Sequence, residues 1–185
     1  MASATLNWTP AGGSSTGQRI EYRQKTVGGS WTAHATVSAT TNTTTVNSLT
    51  DNVIYEFRIV NLCSGGEIAS PNIEAMKLEC ITRTISTTSN SATISFPHLG
   101  GDVSKYTVRI KTAASVLITS VDKLGPFTTG GTVSHTFTGL TASTSYIIEV
   151  SVYAGTFSNE ICSQTDVLTS GGTCAAPTTV SATLT

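Results

Sequence analysis

Leu49-Thr50-Asp51-Asn52-Val53-Ile54-Tyr55 and Leu140-Thr141-Ala142-Ser143-Thr144-Ser145-Tyr146 share one plan: a leucine, a polar turn, and a tyrosine opening a run of alternating apolar residues. A tyrosine so placed buries its ring while its hydroxyl reaches back to the turn backbone. Downstream, Tyr55, Phe57 and Ile59 alternate with polar residues, as do Tyr146, Ile148, Val150 and Val152. Period two is the signature of strands with one buried face. Working outward, Ser3-Ala4-Thr5-Leu6-Asn7-Trp8 returns as Ser91-Ala92-Thr93-Ile94-Ser95-Phe96. Between these landmarks lie Ile20 and Tyr22, then segments 31–37, 42–46 and 72–78; the second half answers with Tyr106, Val108, Ile110 and 133–137. No stretch keeps a helical period for three turns, and Gly-Gly and Thr-Gly breaks punctuate the runs. Each half therefore reads as about seven short strands, the pattern of a β-sandwich.

A chain of 185 residues carrying two such copies gives two domains of small-sandwich size, each with a modest core. Charged residues make up 11% and the net charge is −1, so there is no basic footprint for nucleic acid or for an anionic membrane. Serine and threonine supply nearly a third of the chain, the make-up of an exposed β-rich protein. No apolar run reaches the ~18 residues of a membrane span, and no membrane insertion is expected. Met1-Ala2-Ser3-Ala4 has neither the basic flank nor the apolar core of a secretory signal. The expectation is a protein whose export signal has been removed, or one that needs none, such as a virion component released by lysis.

The paired leucine-to-tyrosine turns have the form of tyrosine corners at Tyr55 and Tyr146, and Trp8 stands where an inward tryptophan would sit. Together these resemble the fibronectin type III family over nearly the whole chain, Phe96 replacing the tryptophan in the second copy. The segment Thr173-Cys174-Ala175-Ala176-Pro177-Thr178 resembles the domain-opening segment of such modules in Bacteroidetes-type surface proteins and their phages. The resemblance implies an all-β fold of two tandem immunoglobulin-like sandwiches, and a role in adhesion, spacing or assembly rather than chemistry.

The copies are out of phase with the chain. A strand-like lead-in, Cys80 to Asn90, precedes the second copy of the Ser-Ala-Thr motif, whereas the first copy has none and a similar segment, Cys174 to Thr185, follows the second domain. The domains are accordingly 1–79, without its first strand, 80–173, complete, and a tail, 174–185. One reading makes the tail an added strand for the first domain of a neighbouring copy. Val180, Ala182 and Leu184 would then face an acceptor core at Leu6 and Trp8, and copies would link head to tail. The other makes the chain a fragment of a longer array, which also begins and ends out of phase.

Four cysteines bear on this. Cys63 and Cys80 fall at opposite ends of one hairpin, roughly 20–25 Å apart at ~3.4 Å per residue, and a disulfide needs Cα atoms within about 7 Å. Cys80 is then expected to meet Cys162 within the chain, against the alternative of four free thiols. Cys63 and Cys174 are left as a pair between copies.

No catalytic, cofactor or metal site is expected. His34, His98 and His135 lack ligand spacing, and no nucleophile elbow, Cys-x-x-Cys or phosphate loop occurs. The carboxylates are dispersed; Asp102 and Asp122 fall near loops without an identifiable partner. Asn7-Trp8-Thr9 and Asn42-Thr43-Thr44 match a glycosylation triplet that a threonine-rich chain produces by chance. Arg19, Glu21, Arg23 and Lys25 alternate with Ile20 and Tyr22, as a solvated outer sheet face would. The expected function is a non-enzymatic structural or assembly protein of a virion surface or extracellular fibre, with copies of itself and other virion or cell-surface proteins as partners. The alternatives are an adhesin whose turns near Gly65-Gly66 and Ala154-Gly155 touch a host glycan or protein through Tyr153 and Phe157, and a spacer module of a longer surface protein or secreted enzyme.

Overall fold

Alternation of small β-branched and apolar residues builds fourteen strands in this computed structural model, which describes residues 1–10 and 13–169; at 159–166 and 168 only the backbone is described. In the first half they are β1 (Ala2–Asn7), β2 (Ser15–Gln24), β3 (Thr32–Val37), β4 (Thr43–Leu49), β5 (Tyr55–Cys63), β6 (Gly66–Ala69) and β7 (Ile73–Ala75). The second half holds β8 (Thr84–Thr87), β9 (Ser91–Pro97), β10 (Lys105–Thr112), β11 (Leu117–Leu124), β12 (Thr132–Thr138), β13 (Ser145–Ala154) and β14 (Phe157–Leu168). The tail, with Cys174, Val180, Ala182 and Leu184, lies outside the described residues.

Each half is a sandwich of two antiparallel sheets. In the second, the order β12-β9-β8 faces β11-β10-β13-β14; in the first, β3-β2-β5-β6, with β7 also on β5, faces a sheet that among the described residues holds β1 and β4. The first core gathers Leu6, Ile20, Val46, Leu49, Tyr55 and Phe57. The second is larger, with Ile94, Phe96, Tyr106, Val108, Ile148 and Val150 at its centre and Ile81 at its margin. Burying a side chain of this size stabilises by about 1.5–3 kcal/mol.

Three details differ from the alternation pattern. Trp8 lies just past the end of β1 and is half-buried rather than a core residue, as is Tyr22. The strand expected over 72–78 is reduced to Ile73–Ala75 and separated from β6 at Ser70-Pro71. Proline has no N–H to offer the ladder, and Ser70 fills the break: its Oγ accepts from Ile59 N–H at 3.0 Å and its own N–H donates to Ile59 O at 2.8 Å. Glu21, read as part of a solvated face, is buried at 6% exposure.

The halves meet through a hydrogen-bonded joint. Asn52, itself buried and in the left-handed region (φ 63°), donates its N–H to Lys77 O and accepts Asp102 N–H at its carbonyl. Its Oδ1 accepts Glu79 N–H, while Asp102 Oδ2 accepts Ile54 N–H at 2.7 Å. Asp102 thus has a partner that its sequence neighbourhood did not reveal.

Candidate functional site

β1 is an edge strand. It pairs with β4, Leu6 opposite Thr44 and Asn7 opposite Thr43, and Trp8 N–H donates to Asn42 O at 3.0 Å. Backbone groups of an antiparallel strand turn to alternate sides. Leu6 and Trp8 therefore bond toward β4, and Thr5 and Asn7 turn theirs to the opposite edge, where no strand pairs with β1 among the described residues. The corresponding edge of the second domain is covered: β8 pairs with β9, Thr84 opposite Ser95, Ile85 opposite Ile94 and Ser86 opposite Thr93. Ile81 and Ile85 close that core from below.

Where no described strand takes the place of β8, a groove runs along β1. Two cavities that share Leu6 and Ile73 form it: one of 310 Å³ toward Trp8, Gln18 and Asn61, the other of 240 Å³ toward Ala4, Tyr55 and Ala75. The expected acceptor residues Leu6 and Trp8 thus line one cavity. Gln18, opposite Asn61 in the β2–β5 ladder, is fully buried there. Its Oε1 accepts the Trp8 indole N–H at 2.8 Å, while Gln18 Nε2 and Asn61 Oδ1 are buried without a hydrogen-bond partner. The same cross-strand place in the second domain holds Tyr106 and Val152, both fully buried. Sequence reading passed over Gln18, although a polar residue alternating with Ile20 on the inward face is a legible signal.

The tyrosine hydroxyls sit on their turns. Tyr55 Oη accepts Thr50 N–H at 3.2 Å, and Tyr146 Oη accepts Thr141 N–H at 2.9 Å. Cys63, half-buried at the end of β5, is a free thiol, and Cys80 is disulfide-bonded. The side chain of Cys162, its expected partner, lies outside the described residues.

Elsewhere the polar residues satisfy one another. Glu21 takes Arg19 and Arg58, each at 2.7 Å, and Arg19 continues to Glu67. Burial pushes the Glu21 carboxyl up, but the two guanidiniums outweigh it and hold it below the ordinary range. Arg23 and Arg58 stack on Trp31 with the guanidinium carbons 4.5 and 4.2 Å from the ring centroid. Asp122 accepts from Thr107 at 2.7 Å and faces Lys105. Tyr153 is covered by Lys105 at 4.1 Å, and Phe157 is half-buried.

His98 is a packing residue: Tyr106 Oη accepts Leu99 N–H at 2.9 Å, which leaves the phenol proton for His98 Nδ1, also at 2.9 Å. Burial lowers the His98 pKa and keeps the ring neutral. Among the described residues no three His, Cys, Asp or Glu side chains converge as metal ligands, and no helix is long and apolar enough to cross a membrane.

A family model described as the fibronectin type III domain matches residues 2–75 and 81–164. A two-domain fibronectin type III segment from chicken tenascin is similar over 91% of this chain and 91% of that one, at 14% identity and a TM-score of 0.62. The chicken CNTN1 FN1–FN3 domains align over 91% of this chain at 16% identity and a TM-score of 0.42, and the chain spans 60% of their length. No curated protein matches the chain.

Proposed function

We propose that this chain, which belongs to the fibronectin type III family, is a non-enzymatic assembly module whose copies join head to tail, the segment 174–185 of one copy completing the first domain of the next. Fibronectin type III domains occur in structural, adhesion and surface proteins, mostly extracellular, and are generally scaffold or binding modules. The observation that carries the finer reading is the groove along β1, with Thr5 and Asn7 turned to an edge that the second domain covers with β8. An exposed edge of this kind is a template for an added strand.

The tail has the sequence to fill it. Thr179-Val180-Ser181-Ala182 parallels Thr84-Ile85-Ser86-Thr87 of β8. Laid in the same register, Val180 meets Leu6 and Ala182 meets Ala4, with Leu184 continuing toward Ala2. Each segment also begins with a cysteine, and the free Cys63 is the partner proposed for Cys174. Contacts of this sort, donor at one end and acceptor at the other, extend into a fibre unless the rotation closes a ring. An extracellular fibre or a virion surface suits an assembly of sparse charge.

Deleting Thr178–Thr185 tests the reading. The expected result is that the second domain stays folded, copies separate, and the first domain melts earlier until the same segment is supplied as a peptide. Unchanged association and unchanged melting after the deletion would sink it. Non-reducing electrophoresis of oxidised protein is expected to give a ladder that Cys63→Ser removes.

A further inference from the structure

The floor of the β1 groove is polar at one end, and its polar atoms are arranged for a particular guest. Gln18 is fully buried, and its orientation is fixed because Oε1 must accept the Trp8 indole N–H. Nε2 is then left as a buried donor without a partner, and Asn61, which lines the same 310 Å³ cavity from the paired strand β5, has a buried acceptor without one in its Oδ1. An orphaned buried polar atom costs about 1–3 kcal/mol, and here two of opposite sense lie on adjacent cross-strand residues. The second domain, where Ile81 comes from its own chain, has Tyr106 and Val152 at this place, with the Tyr106 hydroxyl already bonded. A guest that satisfies both orphans must donate and accept within one small group, which a hydroxyl does and a methyl cannot.

We infer that the hydroxyl of Thr178 from a second copy is that group, accepting from Gln18 Nε2 and donating to Asn61 Oδ1, so that the polar niche selects the register of the incoming strand. This rests on the head-to-tail reading above. Carrying the β8 register across to β1 sets Thr179 against Asn7 and Val180 against Leu6, because Thr84 lies opposite Ser95 and Ile85 opposite Ile94. Thr178 then falls opposite Trp8 and, two residues from Val180, on the same inward face. A slip that sets Pro177 over the orphan pair leaves both atoms unsatisfied, and one that sets Thr179 there keeps a hydroxyl but turns Val180, Ala182 and Leu184 away from the core, so the niche and the apolar face of the strand fix the register together.

The test uses the full chain. Thr178→Val keeps the shape of the side chain and removes only the hydroxyl, and Thr178→Ser keeps the hydroxyl. Sedimentation velocity across a concentration series is expected to show Thr178→Val associating about ten-fold more weakly than the natural chain, with Thr178→Ser close to it. In NMR spectra the Gln18 side-chain amide signals are expected to move with concentration in the natural chain and in Thr178→Ser, and in Thr178→Val to move only at about ten-fold higher concentration. Equal association of Thr178→Val and the natural chain, with Gln18 signals moving alike, overturns the niche and leaves strand donation standing. Absence of any association in the natural chain overturns both.

Discussion

Tyr146 holds a turn by one atom and His98 packs against the Tyr106 hydroxyl, and each gives a measurable consequence. With Tyr146→Phe, Thr141 N–H loses a part-buried hydrogen bond, which is expected to cost about 0.5–1.5 kcal/mol. Tyr55→Phe removes a longer bond and is expected to cost less. Thermal melts of the two variants check the order; equal or negligible losses would contradict the role given to the hydroxyls. His98 has a folded pKa depressed by burial. The unfolded chain therefore binds the proton first, so the stabilisation is full above the ordinary histidine pKa of about 6.5 and is lost as pH falls below it. Melting of the second domain is expected to drop between pH 7.5 and 5, and His98→Gln, which keeps a polar side chain but does not titrate in that range, is expected to reduce the drop, with His135, whose pKa burial and Lys123 also lower, carrying the rest. A second domain equally pH-dependent in that variant would place the effect elsewhere.

At the scale of strands, β1 and β9 have the same motif and different neighbours. The motif specified the strand, its inward leucine or isoleucine and its polar outer face, because period two is a property of the backbone. It did not specify the partner, since pairing along an edge depends on which other strand arrives. For the same reason the strand expected over 72–78 was legible as a strand but not as the short Ile73–Ala75 that Ser70-Pro71 sets apart from β6. The edge gives a prediction that separates folding from assembly. Thr5 turns its N–H away from β4, so Thr5→Pro removes a group that only an added strand uses. The variant is expected to keep the β1–β4 pair and to associate at least about ten-fold more weakly by sedimentation. Association at the natural strength would mean that strands do not add at β1.

Across the whole molecule the fold was legible and the joint was not. Two sandwiches followed from alternation and from the leucine-to-tyrosine turns, whereas Asn52 and Asp102 looked like ordinary loop residues. Their bonds connect parts of the chain that meet only after both domains form, so no local pattern encodes them. Leu6 and Trp8, singled out in the sequence by their alternation, line the groove, whereas its polar floor at Gln18 and Asn61 drew no notice there. Gly101, at φ 62°, lies so close to Asn52 that an added Cβ would sit 2.3 Å from the Asn52 carbonyl oxygen. Gly101→Ala is therefore expected to break the Asp102-to-Asn52 bond and to separate the unfolding of the two domains in calorimetry. A variant that unfolds as the natural chain does would show that the joint carries no coupling.

In the head-to-tail assembly proposed above, the outer edge of β1 is occupied by a strand from another copy. Hydrogen exchange at the Thr5 and Asn7 amides, followed from dilute to concentrated protein, reads that edge directly. Protection of both amides is expected to rise with concentration, while the Ser95 and Thr93 amides, already covered by β8, stay constant. Fast exchange at Thr5 and Asn7 at every concentration would contradict the account.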